Sequence, residues 1–484
     1  MRHVVVGAGT AGCIVAARLS EDPGNEVVLI EGGPDRHAGN REPGVRALNW
    51  ISALGETDAF WPDIVATRQD GDPRRQYMRG RGVGGSGAVN AMVCLPGVPS
   101  DYDRWAEDLG CDGWSWADVE PWFEAMRVSL TQCPQEWFTP MDRALMTAAR
   151  AIGLPDDVDT YTPQAGVGAL YLSASTVQRH SSGEGWLDPA RSRPNLTVRT
   201  DAWVDRITWN EDRASGVVLV GGEVIPADHV VVSAGTFESA AILMRSDVDN
   251  PSLGRNLRDH AAASIYVTLK DEVRANDMSV PCINVVLRTS STVAPDDIHL
   301  LPMHGSMDGG RTDGLVMAAV MTVRSEGRVM LDPDDPTGHP VIDLHMLTGP
   351  GDRQVMREAV RLMADLMQGP GFADVIDSFV LDDQGTQVSD LDDDAVLDDW
   401  IRRKLGDYFH ACGTCRMGRR EDPAAVVDLD GALIGRSGVH VVDASVLPDV
   451  PAANTHWPTA MVAERLTARM MGRGLSDLQF PRAQ

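Results

Sequence analysis

The stretch "HVVVGAGTAGCIVAARLSEDPGNEVVLIEGG", residues 3–33, decides the fold of this chain. It reads as a buried strand, a glycine turn, a helix and a second strand that ends at Glu31. Gly7, Gly9 and Gly12 follow the G-x-G-x-x-G pattern, which permits a tight turn, close approach of a pyrophosphate and close helix packing. The helix N-terminus faces the phosphates, and Glu31 is placed to accept a hydrogen bond from a ribose. The stretch therefore predicts a Rossmann-like α/β domain that binds a dinucleotide, either NAD or FAD.

A second glycine cluster, "RGRGVGGSGAVNAMVCLPG", covers residues 79–97. Such a density of glycine beside Ser86 and Asn90 suits a backbone that lies against a flat or phosphorylated ligand. A simple NAD-dependent domain does not require a second ligand-facing loop. The cluster therefore favours FAD.

The remaining chain predicts further sheets and helices. Residues 195–234 read as successive strands, and residues 32–81 as an irregular loop rich in glycine and proline. Residues 261–328 alternate apolar and polar side chains, which predicts a largely antiparallel sheet in a separate layer. Residues 349–367 and 389–405 are expected to form helices.

Composition limits the possible partners and the compartment. The 484 residues carry a net charge of −27, which argues against nucleic acid as a partner because a polyanion would be repelled. The seven cysteines are scattered and odd in number, which fits a reducing compartment better than a disulfide framework. We see no cleavable leader and no apolar run near 18 residues, so we predict a cytoplasmic protein without a membrane span.

The segment "DYFHACGTCRMG", residues 407–418, places His410 just before the cysteine pair Cys412 and Cys415. A zinc site would need two more ligands at metal spacing, and none is evident, so no metal is predicted. A redox disulfide is disfavoured because the context is not thioredoxin-like. Taken alone, a histidine beside a glycine turn is more often structural than catalytic.

Four blocks of sequence resemble the glucose–methanol–choline (GMC) family of FAD-dependent oxidoreductases. They are residues 4–33, 80–105, 193–240 and the C-terminal 409–466; "LGRNLRDH", residues 253–260, and segments within residues 327–347 are also similar to the family. The resemblance implies a Rossmann-like FAD-binding domain that is discontinuous, and a second, mainly antiparallel-sheet substrate domain. The expected FAD-binding domain comprises residues 1–150, 176–262 and 410–484, and the expected substrate domain comprises residues 151–175 and 263–409.

The resemblance also assigns site residues. The expected FAD-binding positions are Gly7, Gly9, Thr10, Ala11, Gly12, Glu31, Gly84, Ser86, Asn90, Val204, Asp443, Ala444, Thr455 and His456. His410 matches the catalytic histidine of the family, and His456 matches the second position of the catalytic pair. Val89 stands where some members carry a histidine attached to the flavin, so non-covalent FAD is expected.

The implied reaction is oxidation of an alcohol CH–OH group to an aldehyde or ketone, with hydride transfer to flavin N5. His410 would take the hydroxyl proton and His456 would hold the substrate oxygen. Two alternatives stay open. They are a FAD-holding lyase of the hydroxynitrile lyase type, and an NAD-dependent dehydrogenase argued from the first glycine motif alone. The electron acceptor, whether dioxygen, a quinone or another carrier, is unknown from the sequence.

Overall fold

The computed structural model describes residues 1–274, 277–306, 310 and 312–482. A parallel sheet of five strands forms one layer. Its order is Val439–Val441, His229–Val232, Arg2–Val6, Glu26–Ile30 and Leu196–Arg199. The valines and leucines of these strands are almost wholly buried, as expected for a parallel sheet that is covered on both faces. The N-terminal stretch thus folds as its sequence predicts, and the strands from residues 196 to 232 follow the predicted succession.

An antiparallel sheet of seven strands forms a second layer. Six strands follow the order Ile376–Phe379, Ala261–Leu269, Gly314–Val320, Ile298–His304, Val285–Thr289 and Gly166–Ala169. The seventh strand, Leu405–Asp407, pairs with the start of Ala261–Leu269. The prediction of a separate antiparallel layer from residues 261 to 328 is therefore confirmed.

Three small sheets complete the strands of the described residues. Their strands are Val204–Asn210, Arg213–Leu219 and Val224–Pro226; Val65–Thr67, Arg75–Gln76, Arg328–Met330 and Val341–Asp343; and Thr131–Gln132 and Tyr171–Leu172. The prediction of an irregular loop over residues 32–81 was wrong in part, because two of these strands lie within it. Strands of two or three residues are too short to show alternation in a sequence.

The α-helices connect and cover these layers. They are Thr10–Leu19, Pro43–Arg46, Pro99–Glu107, Trp116–Met126, Pro140–Ala151, Asp188–Ala190, Gly235–Arg245, Asp352–Gln368, Phe372–Val375, Asp394–Lys404 and His456–Met470. The helices predicted near residues 349–367 and 389–405 are present. The C-terminal helix, His456–Met470, packs against Thr10–Leu19, so the end of the chain returns to the N-terminal fold.

The chain passes between the two large sheets at two adjacent crossings. Asp259 and His260 immediately precede the strand Ala261–Leu269, and Tyr408 to His410 follow the strand Leu405–Asp407. The backbone amide of Tyr408 donates to the carbonyl of His260 at 3.3 Å, which holds the two crossings together. The predicted domain boundaries at residues 262 and 410 lie beside these crossings, and the domain division itself stays a prediction.

Candidate active site

A cavity of about 690 Å³ lies between the two large sheets. One wall consists of residues at the carboxyl ends of the parallel strands, where Gly7, Glu31, Ser233 and Asp443 lie. The opposite wall is a face of the antiparallel sheet. The volume is within the range of small-molecule and cofactor sites, and the edge of a parallel sheet is where nucleotides bind in this fold class.

The first glycine loop contains two glycines that are packed against backbone and one that faces open space. A Cβ on Gly7 would lie 2.5 Å from the carbonyl oxygen of Ser233, and one on Gly12 would lie 1.8 Å from the carbonyl oxygen of Gly7. Gly9 lines the cavity, and a Cβ there would meet no protein atom within 4 Å. Gly9 therefore leaves space for a ligand, while Thr10 and Ala11 bring the first-turn amides of the helix to the same wall.

Glu31 joins the two glycine loops. One carboxylate oxygen accepts from the amide of Ala8 at 2.8 Å, and the other accepts from the amides of Gly33 at 2.8 Å and Gly82 at 3.2 Å. The side chain also lines the cavity. Since a carboxylate has about four lone-pair sites, Glu31 retains capacity for a ribose hydroxyl.

The second glycine loop lies against the first. The amide of Gly84 donates to the carbonyl of Ala8 at 2.7 Å, and a Cβ on Gly85 would lie 2.8 Å from the Cα of Gly9. Ser86 and Asn90 line the cavity, whereas Gly84 and Gly12 are not among its lining residues. The predicted loop is therefore at the cavity, with Gly84 acting through backbone packing.

The remaining predicted FAD-binding positions, Val204, Asp443, Ala444, Thr455 and His456, all line the cavity. Asp443 accepts from the amides of Gly235 and Ser445, each at 2.8 Å, and from the hydroxyl of Ser239 at 2.5 Å. Burial raises the pKa of Asp443, and these donors oppose that rise. The carboxylate thus fixes the backbone of two neighbouring turns at the edge of the parallel sheet.

His410 is held at the cavity wall by its own backbone. Phe409, the residue before it, has a φ of 63°, a left-handed conformation that costs free energy for a side chain of this size. Two hydrogen bonds hold this turn, from Arg79 to the Phe409 carbonyl at 2.9 Å and from the His410 amide to Asp259 at 2.8 Å. His410 as a whole residue is 7% exposed and lines the cavity.

A chain of hydrogen bonds defines the tautomer of His410. Nε2 of His260 lies 3.1 Å from the carbonyl oxygen of Met321, which can only accept, so this nitrogen carries a hydrogen. Burial lowers the pKa of His260 to about 3, so the ring is neutral and its Nδ1 is an acceptor. Nδ1 of His410 lies 2.8 Å from that atom and must therefore donate. The lone pair of His410 is consequently on Nε2.

Asn454, rather than His456, is the side chain that contacts His410. Its amide nitrogen lies 3.1 Å from Nε2 of His410. Nδ1 of His456 instead lies 3.1 Å from the hydroxyl of Thr10 in the first glycine loop, and its ring is against Gly87 in the second. The structure therefore brings His456 to the two glycine loops and Asn454 to the predicted catalytic histidine.

Electrostatics keep this cluster neutral. Burial, followed by His260 and Arg79, lowers the pKa of His410 well below its usual value. Burial lowers the pKa of His456 to about 4, with a contribution from Arg179. Burial and then Asp407 raise the pKa of Asp259 to about 7. Near neutral pH both cavity histidines are uncharged, so each has one ring nitrogen with a lone pair; that of His410, on Nε2, accepts from the amide of Asn454.

The cysteine pair lies outside this wall. Cys412 and Cys415 are fully buried and free, and burial raises the pKa of both thiols. The backbone of Cys412 pairs with that of Arg258 at 3.0 and 2.9 Å.

In the part of the chain that the structure describes, no group of three or more His, Cys, Asp or Glu side chains is arranged to hold a metal ion. No helix among the described residues is long and apolar enough to cross a membrane.

Sequence reasoning did not assign Asp259, His260 and Asn454, although each contacts His410. The first two close the block "LGRNLRDH", in which an adjacent acid and histidine before an apolar strand was a usable signal. For Asn454 the signal was weaker, since an asparagine before a helix is a common capping residue.

The two glycine loops and a neutral, oriented histidine open on the same cavity, which is the arrangement expected of a cofactor-dependent oxidoreductase. The family model for the N-terminal part of GMC oxidoreductases matches residues 1–262 of this chain, and the model for their C-terminal part matches residues 323–463. The chain belongs to the GMC oxidoreductase family, whose cofactor is FAD.

Relatives and solved structures agree with this assignment. The chain is 32% identical to the 5-(hydroxymethyl)furfural oxidase of Methylovorus sp. (strain MP688), over 96% of this chain and 97% of that protein. It is 31% identical to the oxygen-dependent choline dehydrogenase of Klebsiella pneumoniae (strain 342), over 97% and 96% of the two chains. The crystal structure of pyridoxine 4-oxidase from Mesorbium loti superposes with a TM-score of 0.86 at 26% identity, covering 98% and 99%. The predicted family, fold class and enzyme class are confirmed.

Proposed function

We propose that this protein oxidises an alcohol CH–OH group to an aldehyde or ketone, with FAD as its cofactor. The observation that carries the proposal is the hydrogen-bond chain that leaves the lone pair of His410 on Nε2, at the wall of the nucleotide-binding cavity. The names of the relatives, which include a furfural oxidase, a choline dehydrogenase and a pyridoxine oxidase, support alcohols as the substrate class.

The described residues fit FAD. The space beside Gly9 and the first-turn amides suit the pyrophosphate, and Glu31 suits the ribose. When bound, the flavin accepts the hydrogen that leaves the alcohol carbon as hydride. Val89 is a buried aliphatic residue at the cavity wall, which supports non-covalent binding. We assign FAD binding to residues 1–150, 176–262 and 410–484, and the substrate wall to residues 151–175 and 263–409.

His410 and Asn454 carry the proton chemistry in this proposal. Nε2 of His410 accepts the hydroxyl proton, because burial keeps the ring neutral and His260 fixes its tautomer. The amide nitrogen of Asn454 donates to Nε2 at 3.1 Å, and we expect it to donate to the substrate oxygen instead when the hydroxyl takes its place beside the base. His260 continues to accept from Nδ1 and so stabilises the imidazolium that forms. The role first predicted for His456 passes to Asn454, and His456 supports the glycine loops.

Rapid mixing of the oxidised enzyme with alcohols, without air, tests this proposal. Flavin absorbance should bleach, and His410→Ala should slow bleaching by about 10²- to 10⁴-fold while the flavin content stays unchanged. An unchanged rate in this variant would refute the assignment of His410. Release of a carbonyl product without bleaching would indicate the lyase alternative.

The electron acceptor is tested separately. The enzyme is photoreduced without air, and the return of the oxidised flavin bands is timed after air is admitted. Return within seconds would identify dioxygen as a competent acceptor, and return over many minutes would direct the search to a quinone or another carrier. Neither result depends on knowing the alcohol.

A further inference from the structure

The register of the antiparallel sheet shows which side chains face the substrate end of the cavity. Ser264 pairs with Met317 and Met317 pairs with Leu301, so these side chains form one row. Two residues further along, Tyr266, Leu315 and Met303 form a second row. All six line the cavity, so this wall is apolar apart from the two hydroxyls.

Lys404 extends the first row. Leu405 pairs with Ala263 in an antiparallel register. Lys404, the residue before Leu405, therefore lies opposite Ser264 and on the same side of the sheet. Lys404 is half-buried and lines the cavity. Within the described residues its ammonium group has no hydrogen-bond or ion-pair partner, whereas Arg402 and Arg403, in the same helical turn, pair with Asp399. The helix C-terminus favours a cation here, but it does not account for a side chain that faces the cavity.

The carboxylates that line the cavity are already partnered. Glu31 and Asp443 accept from backbone amides, Glu238 accepts from His339 at 2.7 Å, and Asp407 pairs with Arg68. Three arginines, Arg75, Arg79 and Arg403, line the same cavity as Lys404. The cavity therefore offers a free positive charge and no unpartnered carboxylate among the described residues, in a chain whose net charge is −27.

We propose that the alcohol substrate carries an anionic group, such as a carboxylate, which the ammonium group of Lys404 binds. This inference rests on the proposed function and names its substrate class. The backbone amide of Tyr408 donates to the carbonyl of His260, next to His410. Four residues of extended chain separate Lys404 from Tyr408, so their Cα atoms are about 13 Å apart. The anionic group is therefore separated from the hydroxyl by a spacer such as an aromatic ring, which suits the apolar rows. A cationic alcohol such as choline is disfavoured.

The test compares three alcohols: 4-(hydroxymethyl)benzoate, which is anionic; 4-methylbenzyl alcohol, its neutral counterpart; and choline, which is cationic. The readout is the ratio of kcat/KM values for the first two alcohols. Lys404→Met should lower this ratio about tenfold, mainly by raising KM for the benzoate, because a charge-assisted hydrogen bond is lost. Lys404→Glu should lower it further. Lys270→Met is the matched control, since Lys270 bonds the carbonyls of Ala373 and Asp374 and does not line the cavity; it should leave the ratio unchanged.

An unchanged ratio in Lys404→Met, or a preference of the unaltered enzyme for choline, would overturn the inference. A failure of the proposed function looks different, because none of the three alcohols would then bleach the flavin. In that case, titration with 4-methylbenzoate, monitored by the flavin absorbance spectrum, still tests whether Lys404 binds an anion. About tenfold weaker binding to Lys404→Met supports it, and equal binding refutes it.

Discussion

Replacing His260 with leucine tests how the ring of His410 is oriented. His260 is wholly buried and accepts from Nδ1 of His410 at 2.8 Å. Leucine fills much of the same space but cannot accept a hydrogen bond. The Nδ1–H group of His410 would then be buried without a partner, and the tautomer with the hydrogen on Nε2, which cannot act as a base, would no longer be disfavoured.

The magnitude follows from one buried hydrogen bond between neutral groups. Leaving a buried donor without its partner costs about 1–3 kcal/mol. If that cost falls on the reactive tautomer, the rate of flavin reduction by the alcohol drops roughly 5- to 150-fold. His260→Asn should recover part of the rate, because an amide oxygen can accept near the position of Nδ1. The pH profile of the reductive step should shift in His260→Leu, since His260 no longer stabilises the imidazolium.

Stopped-flow measurement of flavin bleaching without air, between pH 6 and 9, is the assay. His304→Leu serves as the control, because His304 is equally buried but its Nε2 lies 3.5 Å from the carbonyl of Arg274, and it does not line the cavity. Both variants should retain the flavin spectrum. If His260→Leu reduced its flavin at the unaltered rate and with the unaltered pH profile, the tautomer argument would be wrong.

Two further predictions concern the cofactor loop and acid stability. Gly9→Ala should leave the Tm of the FAD-free protein unchanged and weaken FAD binding, because its Cβ meets no protein atom. Gly12→Ala should lower the Tm of the FAD-free protein, because its Cβ meets the backbone of Gly7. Equal Tm values of the two FAD-free variants would contradict this. Burial, then His440 and His3, lowers the pKa of His229 to about 3, so unfolded His229 binds a proton below its usual pKa while the folded form does not. Stability is therefore lost as pH falls from 6.5, by about 2 kcal/mol at pH 5. In His229→Gln, urea unfolding at pH 7.5 and 5 should show a loss smaller by that amount; an unchanged loss would place the acid sensitivity elsewhere.

The sequence predicted most of what depends on local spacing. The glycine loops, the carboxylate at Glu31 and each strand of the antiparallel layer follow from local patterns of neighbouring residues. Contacts between distant segments could not be predicted in this way. His260 and His410 are 150 residues apart, and their contact depends on two crossings being held side by side.

The sequence predicted that His456 pairs with His410, whereas Asn454 is the residue that contacts it, and the cause of this difference is related. The two residues stand on either side of the start of the helix His456–Met470, where an irregular turn changes the direction of successive side chains. Histidine is the more familiar catalytic residue, and a sequence does not report which of two near neighbours reaches across a cavity. The roles of both residues stay predictions until the variants are measured.

The positions of the crossings have a consequence for how this fold can acquire new specificities. His260 and His410 lie outside the regular strands. Hydrogen bonds to the backbone at the crossings hold them, from the amide of Tyr408 to His260 and between the amide of His410 and Asp259, and none of these involves a side chain on the sheet face. The residues that would meet a substrate are alternate positions on strands whose pairing needs only main-chain atoms. Replacing Met317 or Leu301 with larger or smaller residues can therefore reshape the pocket without moving His410. Directed evolution of this enzyme should find altered substrate ranges on that face more readily than at the crossings.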